Sequence, residues 1–513
     1  MVRTRQLSLP IIAIGGLVTL LAADVLAGGG QAKILAAAVI AFVVAFWLTR
    51  IAKSWPTLVS GMLLVALLIP SNGIYALPEA LPFQLEPYRV VAGLLLVGWV
   101  IALAVDPRVR ARATRFELPL LVIACATLGS EVANPGRVAT YTSFVLKAIW
   151  LLACFILFCY LMVSVVRSRA VVERLITVLV SAGTIVALGA IVQRRAGFNV
   201  FDHLHPILPL FHYNPSAAQN VEIRGGNLRA SASAGHPIEL STVMAMLVPF
   251  AIYLAISRRQ RRWWLAVTAL LLADFTGGSR TGVIGLLVIL GIFLWLRPRQ
   301  TARCWPAIFP LIVILHFSAP GAIGSVIEGF FPKGGVVKQQ SETFIGPGGK
   351  VEYANRLSRV GPELHEFSLH NPLVGIGYGT RVVGKASVAD NAIILDDQWL
   401  DTLLETGLLG VLGWLWLFLL VIRRLGTRAK LERDTRRGWL PVALAASVAT
   451  FASSMLFYDA FSFDMGACVA FVVIALAAIV LREAPGRSEV EAEPVPDDRD
   501  RPSYGRPSLV PVG

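Results

Sequence analysis

Long stretches of this chain carry no charge. Asp, Glu, Lys and Arg make up only 15% of its 513 residues, well below a soluble domain of ordinary composition, while 56% are hydrophobic. That balance excludes a water-soluble globular fold of this length and indicates an all-α polytopic membrane protein. Negative charge is the scarcer sign, with 32 acidic against 46 basic residues and a formal net charge of +14. In a soluble protein such an excess would suggest nucleic acid. Here the basic residues stand in short clusters between apolar runs, as in cytoplasmic loops, so no nucleic-acid partner is expected.

Cysteine is also sparse. Cys125, Cys154, Cys159, Cys304 and Cys468 lie in or beside apolar runs without metal-ligand spacing, so they read as small core residues; neither a disulfide nor a metal is expected. There is no GxxxxGK motif, and GIGYG follows no strand-to-helix context, which leaves no nucleotide site and no cofactor. Energy must come from the substrate or from a gradient. No solenoid-type repeat is present.

What the chain does have is apolar runs long enough to cross about 30 Å of hydrocarbon. They fall near 7–27, 32–49, 57–70, 89–105, 117–130, 144–166, 172–192, 237–256, 263–277, 280–296, 304–318, 398–422, 439–457 and 462–481. The expectation is about fourteen transmembrane helices, with twelve or thirteen if the short or touching runs merge. The N-terminal basic head, apolar run and small residues have the parts of a signal peptide. The run is long and another follows at once, so an uncleaved first helix is expected. With the N-terminus inside, Arg108 to Arg115, Arg258 to Arg262, Arg297 to Arg303 and Arg423 to Arg437 all fall on the cytoplasmic side, which places both termini there. The opposite face then carries 71–88, 193–236 and a large loop at 317–397, in which short helices are expected, for example around Glu352 to Leu369 with a break at Gly361-Pro362. The tail from 482 lacks apolar periodicity and should be disordered.

On that outer face arginine should be rare, yet RGGNLRASASAGHPIEL holds Arg224 and Arg229, and TGGSRTG holds Arg280 in a tight turn. A guanidinium among glycines near the membrane surface can grip a phosphate bidentately; the alternative is snorkelling to lipid headgroups. Ionisable groups at the membrane edge, Glu239, Asp274, Asp401, Glu405, Asp459 and Asp464 among them, are costly unless paired. Most read as packing or ion-pair residues, with Glu239 and Asp274 singled out by their nearness to an arginine. The loop adds Arg356, Arg359, His365, His370, Arg381, Asp396 and Asp397. The two adjacent aspartates, where the chain re-enters the membrane, suit a general base, although either could simply cap a helix. His370 is a candidate for a direct role or for a turn cap.

RASASAGHP, GGSRTG, NPLVGIGYG and LDDQWLDTLLETGLLG, in that order between helices, resemble the O-antigen ligase and O-antigen polymerase family of bacterial membrane glycosyltransferases. The resemblance spans roughly Arg224 to Gly413. It implies a GT-C-like, nucleotide-independent enzyme that takes a polyprenyl-diphosphate-linked glycan on the outer face of the cytoplasmic membrane and joins it to a glycan or lipid acceptor. Other polysaccharide-assembly proteins are conceivable partners. Arg229 and Arg280 match the arginines expected to hold the diphosphate, and Arg356 resembles one early in the large loop. The family's ligases typically show a His-Asn pair at re-entry, where this chain has Asp396-Asp397. That departure favours polymerisation of a surface polysaccharide over lipid A-core ligation. The expected organisation is N-terminal helices in 1–223, a catalytic core in 224–422 including the loop, C-terminal helices in 423–481 and the tail in 482–513. A transporter of lipid-linked oligosaccharide or polysaccharide, and a non-catalytic assembly partner, are the competing classes.

Overall fold

The computed structural model describes residues 54–70, 73–77, 86–107, 109–208, 211–215, 222–224, 227–303, 306, 313, 317, 342–345, 351–354, 365, 371–381, 396–432 and 436–483. These residues are mostly helical, and five helices are long and apolar enough to cross a membrane. The chain runs α1 (Trp55–Leu68), α2 (Pro87–Val105), α3 (Glu117–Ala133), the short α4 (Pro135–Thr140), α5 (Thr142–Val165) and α6 (Arg169–Ala196). It continues through α7 (Pro237–Arg258), α8 (Arg261–Thr276), α9 (Arg280–Leu296), α10 (Pro298–Ala302), α11 (Gln398–Leu431), α12 (Trp439–Ser454) and α13 (Asp464–Val480). The apolar runs expected at 7–27, 32–49 and 304–318 lie outside the described residues or almost wholly so, as does the tail beyond 483.

Three two-stranded antiparallel pairs accompany the helices: β1 (Tyr75–Ala76) with β2 (His212–Tyr213), β3 (Glu222–Arg224) with β4 (Asn227–Arg229), and β5 (Glu342–Ile345) with β6 (Val351–Ala354). The last pair puts strand in place of helix at 352–354; of the rest of the stretch to Leu369 only His365 is described, and it is helical. ETFI and VEYA carry β-branched and aromatic residues, and the GPGG between them suits a hairpin turn, so Glu352 pairs with Phe344.

The helices pack around α7, α12 and α13, which are buried along most of their length. Apolar side chains also point outward. Leu118, Leu121, Leu128 and Val132 form a stripe on α3, and Leu408, Leu412, Leu415 and Leu419 another on α11, all exposed. Such stripes are unstable against water and suit hydrocarbon.

The bundle has two unlike ends. At one, Arg115 Nη1 donates to Leu481 O at 2.9 Å, Arg258 Nη2 to Thr177 Oγ1 at 2.7 Å, and the buried Arg297 Nη2 to Ala429 O at 3.0 Å and Glu432 O at 3.2 Å. This is the arginine end. At the other, the loop end, Ser233 Oγ donates to Leu67 O at 2.5 Å, Asn134 Nδ2 to Gly375 O at 2.9 Å, and Gly466 N to Glu239 Oε1 at 3.0 Å.

One helix is broken. The sequence reads as a single span from 398, but Gly407 has φ 65° and ψ −165°, a region open essentially to glycine alone. Residues 371–381 fill the break as a wedge. Ile376 N donates to Leu404 O at 2.9 Å and Gly377 N to Glu405 O at 3.1 Å, while Leu408 N reaches Pro372 O at 3.0 Å and Leu409 N reaches Leu373 O at 3.2 Å. Two carbonyls and two amides at the kink thus gain partners from the wedge, as low-dielectric surroundings require. A Cβ on Gly407 would lie 2.4 Å from Leu373 C, and one on Gly375 2.5 Å from Glu405 C, so the two glycines let the backbones meet. The glycine-rich stretch is therefore an integral part of the bundle.

Candidate active site

The turn between α8 and α9 builds the first half of the site. α8 ends at Thr276, and Gly277, Gly278 and Ser279 reverse the chain before α9 starts at Arg280. Ser279 Oγ caps that start by accepting from Thr281 N at 3.2 Å. Arg229, the last residue of β4, is buried, and its Nε donates to Gly277 O at 2.9 Å while Ala230 N donates to Thr276 O at 3.2 Å. These bonds lay β4 along the turn, so Arg229 and Arg280 share it. Arg280 is half-buried in the first turn of α9, where the helix's partial positive charge adds to the guanidinium. The Asp274 carboxylate, buried one turn below, packs against Gly282.

The second half forms where α11 begins. Asp397 Oδ1 accepts from Trp399 N at 3.0 Å and Leu400 N at 3.1 Å, the bonds of an N-cap. The capping alternative is what the structure gives this residue. Asp396, beside it, is half-buried in a left-handed conformation with φ 52°, which aspartate tolerates better than most side chains. Asp397 N donates to Asp459 Oδ1 at 3.2 Å, Gln398 N to Met455 O at 2.8 Å and Phe461 N to Gln398 Oε1 at 2.8 Å. Those three bonds hold the segment after α12 against the start of α11, and Asp459 joins Asp396 in a carboxylate corner. Arg381, at the end of the wedge, forms an ion pair with Asp401 one turn into α11. Burial, and then the charges of Asp401 and Asp396, push the Asp459 carboxyl up to about 7, against the pull of the Arg381 guanidinium.

The two halves stand at one level. α9 and α12 run antiparallel: the rings of Phe293 and Trp439 lie 5.6 Å apart, and a Cβ on Gly285 would be 2.9 Å from Thr450 Cγ2. From Gly285 back to Arg280, and from Thr450 on to Met455, the chain rises about 7.5 Å in each case. Arg280 and the start of α11, which is bonded to Met455, therefore both lie beside the last turn of α12.

The other expected site residues fall elsewhere. Glu239 is buried, its oxygens accepting from Gly466 N at 3.0 Å and Gly235 N at 2.8 Å, so it ties α7 to α13 and to its own preceding loop. Arg224 pairs through its backbone with Asn227 in β3–β4. His365 is exposed. Arg356, Arg359 and His370 lie outside the described residues. The sequence offers Arg381 and Asp459 only as separate ionisable groups, and no local signal joins them to the aspartates. For Asp401 and Glu405 a signal exists, since they follow Asp397 at four-residue spacing on one helix face.

Among the described residues no group of three or more His, Cys, Asp or Glu side chains is arranged to hold a metal ion. Fold and site together describe a mostly helical chain, compatible with an all-α membrane protein, whose loop end gathers an arginine turn and a group of acids. No known family profile matches the chain, and no curated protein does.

Proposed function

We propose that this chain is a membrane glycosyltransferase that polymerises or ligates a polyprenyl-diphosphate-linked glycan on the outer face of the cytoplasmic membrane. The observation that carries this reading is the position of the arginine turn and the carboxylate corner at one level beside the end of α12. Arg280 and Arg229 offset the charge of the leaving diphosphate, the largest demand of such a reaction. Asp396 or Asp459 takes the proton of an acceptor hydroxyl, and the Asp459 carboxyl, pushed up to about 7 by burial, is suited to that task. The acceptor oxygen bonds to the anomeric carbon from the face opposite the phosphate, the carbon–oxygen bond to phosphate breaks, and its electron pair leaves with the polyprenyl diphosphate. The product is inverted, and neither nucleotide nor metal enters. Polymerisation is the favoured outcome and lipid A-core ligation the variant. Purified protein given defined polyprenyl-diphosphate oligosaccharides without nucleotide should yield longer glycans by mass, and Arg280→Ala should not. No product from the native chain, or equal product from both, would refute the reading.

The broken helix supports a second reading, a transporter of the same lipid-linked substrate, because interrupted helices beside buried carboxylates are common in transporters. Proteoliposomes separate the two: a transporter moves the substrate between leaflets and leaves its mass unchanged.

A further inference from the structure

The wedge, the helix break and the carboxylate corner form one connected assembly. Glu405 Oε1 accepts from Gly379 N at 3.0 Å and from Arg381 N at 3.4 Å, so this buried carboxylate grips the wedge at the residue that reaches the corner. Its own carbonyl accepts from Gly377 N at 3.1 Å. Arg137 Nε donates to Thr380 Oγ1 at 3.1 Å and Ser130 Oγ accepts from Tyr378 N at 2.9 Å, which fastens the wedge from the α3–α4 side. The outcome is a fixed guanidinium: the Arg381 side chain is 7% exposed and paired with Asp401, whose other oxygen accepts from Gln398 Nε2 at 3.3 Å.

We infer that Arg381 and Glu405 are a positioning pair for the acid corner, Glu405 holding the wedge in the break and the wedge holding Arg381 as the positive charge beside Asp401, Asp396 and Asp459. Neither residue needs to touch the glycan. The charged groups facing Asp459 are Asp401 from α11, Asp396 from the segment before it and Arg381 from the wedge; those facing Glu405 are Asp401 and Arg381, and Tyr378 of the wedge is near Glu405, Asp401 and Glu131 of α3. The inference rests on the proposed reaction for its consequence in catalysis, but the charge arrangement is measurable without turnover.

The test is an infrared pH titration of the full-length chain in nanodiscs, following the carboxyl band that Asp459→Asn removes. Removing a neighbouring positive charge lets a carboxyl keep its proton to higher pH, so Arg381→Gln should move the midpoint up by about one unit or more. Arg381→Lys, which keeps the charge, should leave it near the native value. Glu405→Ala should reproduce the Gln shift, and Glu405→Gln, which retains an oxygen for both amides, should give a smaller one. In the Arg381→Gln background Glu405→Ala should add little, since both act through one charge. In glycan transfer the acid limb of kcat should move up by the same amount, with rate restored at alkaline pH and donor KM within about twofold. An unmoved midpoint in Arg381→Gln, or additive shifts in the double variant, would overturn the inference. Absence of transfer by the native chain would overturn the reaction and leave the titration to judge the pair.

Discussion

At the arginine end, Arg297 is buried and places its guanidinium on carbonyls at the end of α11, 3.0 Å and 3.2 Å away. Arg428 pairs there with Glu432 four residues on at 2.8 Å. At the loop end Arg229 is just as buried, but it braces the turn that presents Arg280, and Arg381 stands among four carboxylates. One end uses arginine to finish helices, and the other sets it against a group of acids. Burial alone therefore does not separate the two kinds of arginine; what separates them is whether the charge closes a helix or opposes a set of acids.

Substitutions should separate these roles. The largest effect belongs to Gly407→Val, which forces a β-branched side chain into a glycine-only conformation and against Leu373. Strain of about 1–3 kcal/mol adds to the overlap, so little folded protein should emerge as a single peak in size-exclusion chromatography. Arg280→Ala should lower glycan transfer by about 10²- to 10³-fold, the scale of losing one strong charge contact in a transition state, while melting close to the native temperature. At the opposite end Arg297→Met should do the reverse. It leaves carbonyls of α11 without their donor and should cost about 1–3 kcal/mol in thermal or denaturant unfolding, with kcat unchanged. If Arg297→Met removed transfer and Arg280→Ala only destabilised, the contrast between the ends would be wrong. The smallest effect is expected at Asp397: replacement by Ala removes an N-cap worth about 1 kcal/mol, and Asn should restore most of it together with activity. Failure of Asn to rescue would return Asp397 to acid–base work.

Much of the helical frame is legible in the sequence, because apolar runs ended by basic clusters, glycine or proline are local signals. α9 begins and ends where the run from Arg280 to Leu296 does, and the GGS turn before it is plain. α11 runs nine residues past the expected end at Ile422, since its basic continuation is still helix-forming once packed. The break at Gly407 could not be read from TLLETGLLG, because a glycine inside a helical run does not by itself specify one; the distant segment 371–381 supplies the partners that hold it. Of the site, the arginine turn and the cap at Asp397 could be anticipated locally. Asp459 could not, since its nearness to Asp397 depends on how the α12–α13 segment folds back.

The bonds from Ile376 and Gly377 into one side of the break, and from Leu408 and Leu409 out of the other, have a kinetic consequence. Each of these amides donates to a segment other than its own, so releasing that bond requires the wedge to move against α11. Their exchange with deuterated water should proceed as one unit, slowing or quickening together, and a single protection factor for all four would report how often the wedge leaves its seat.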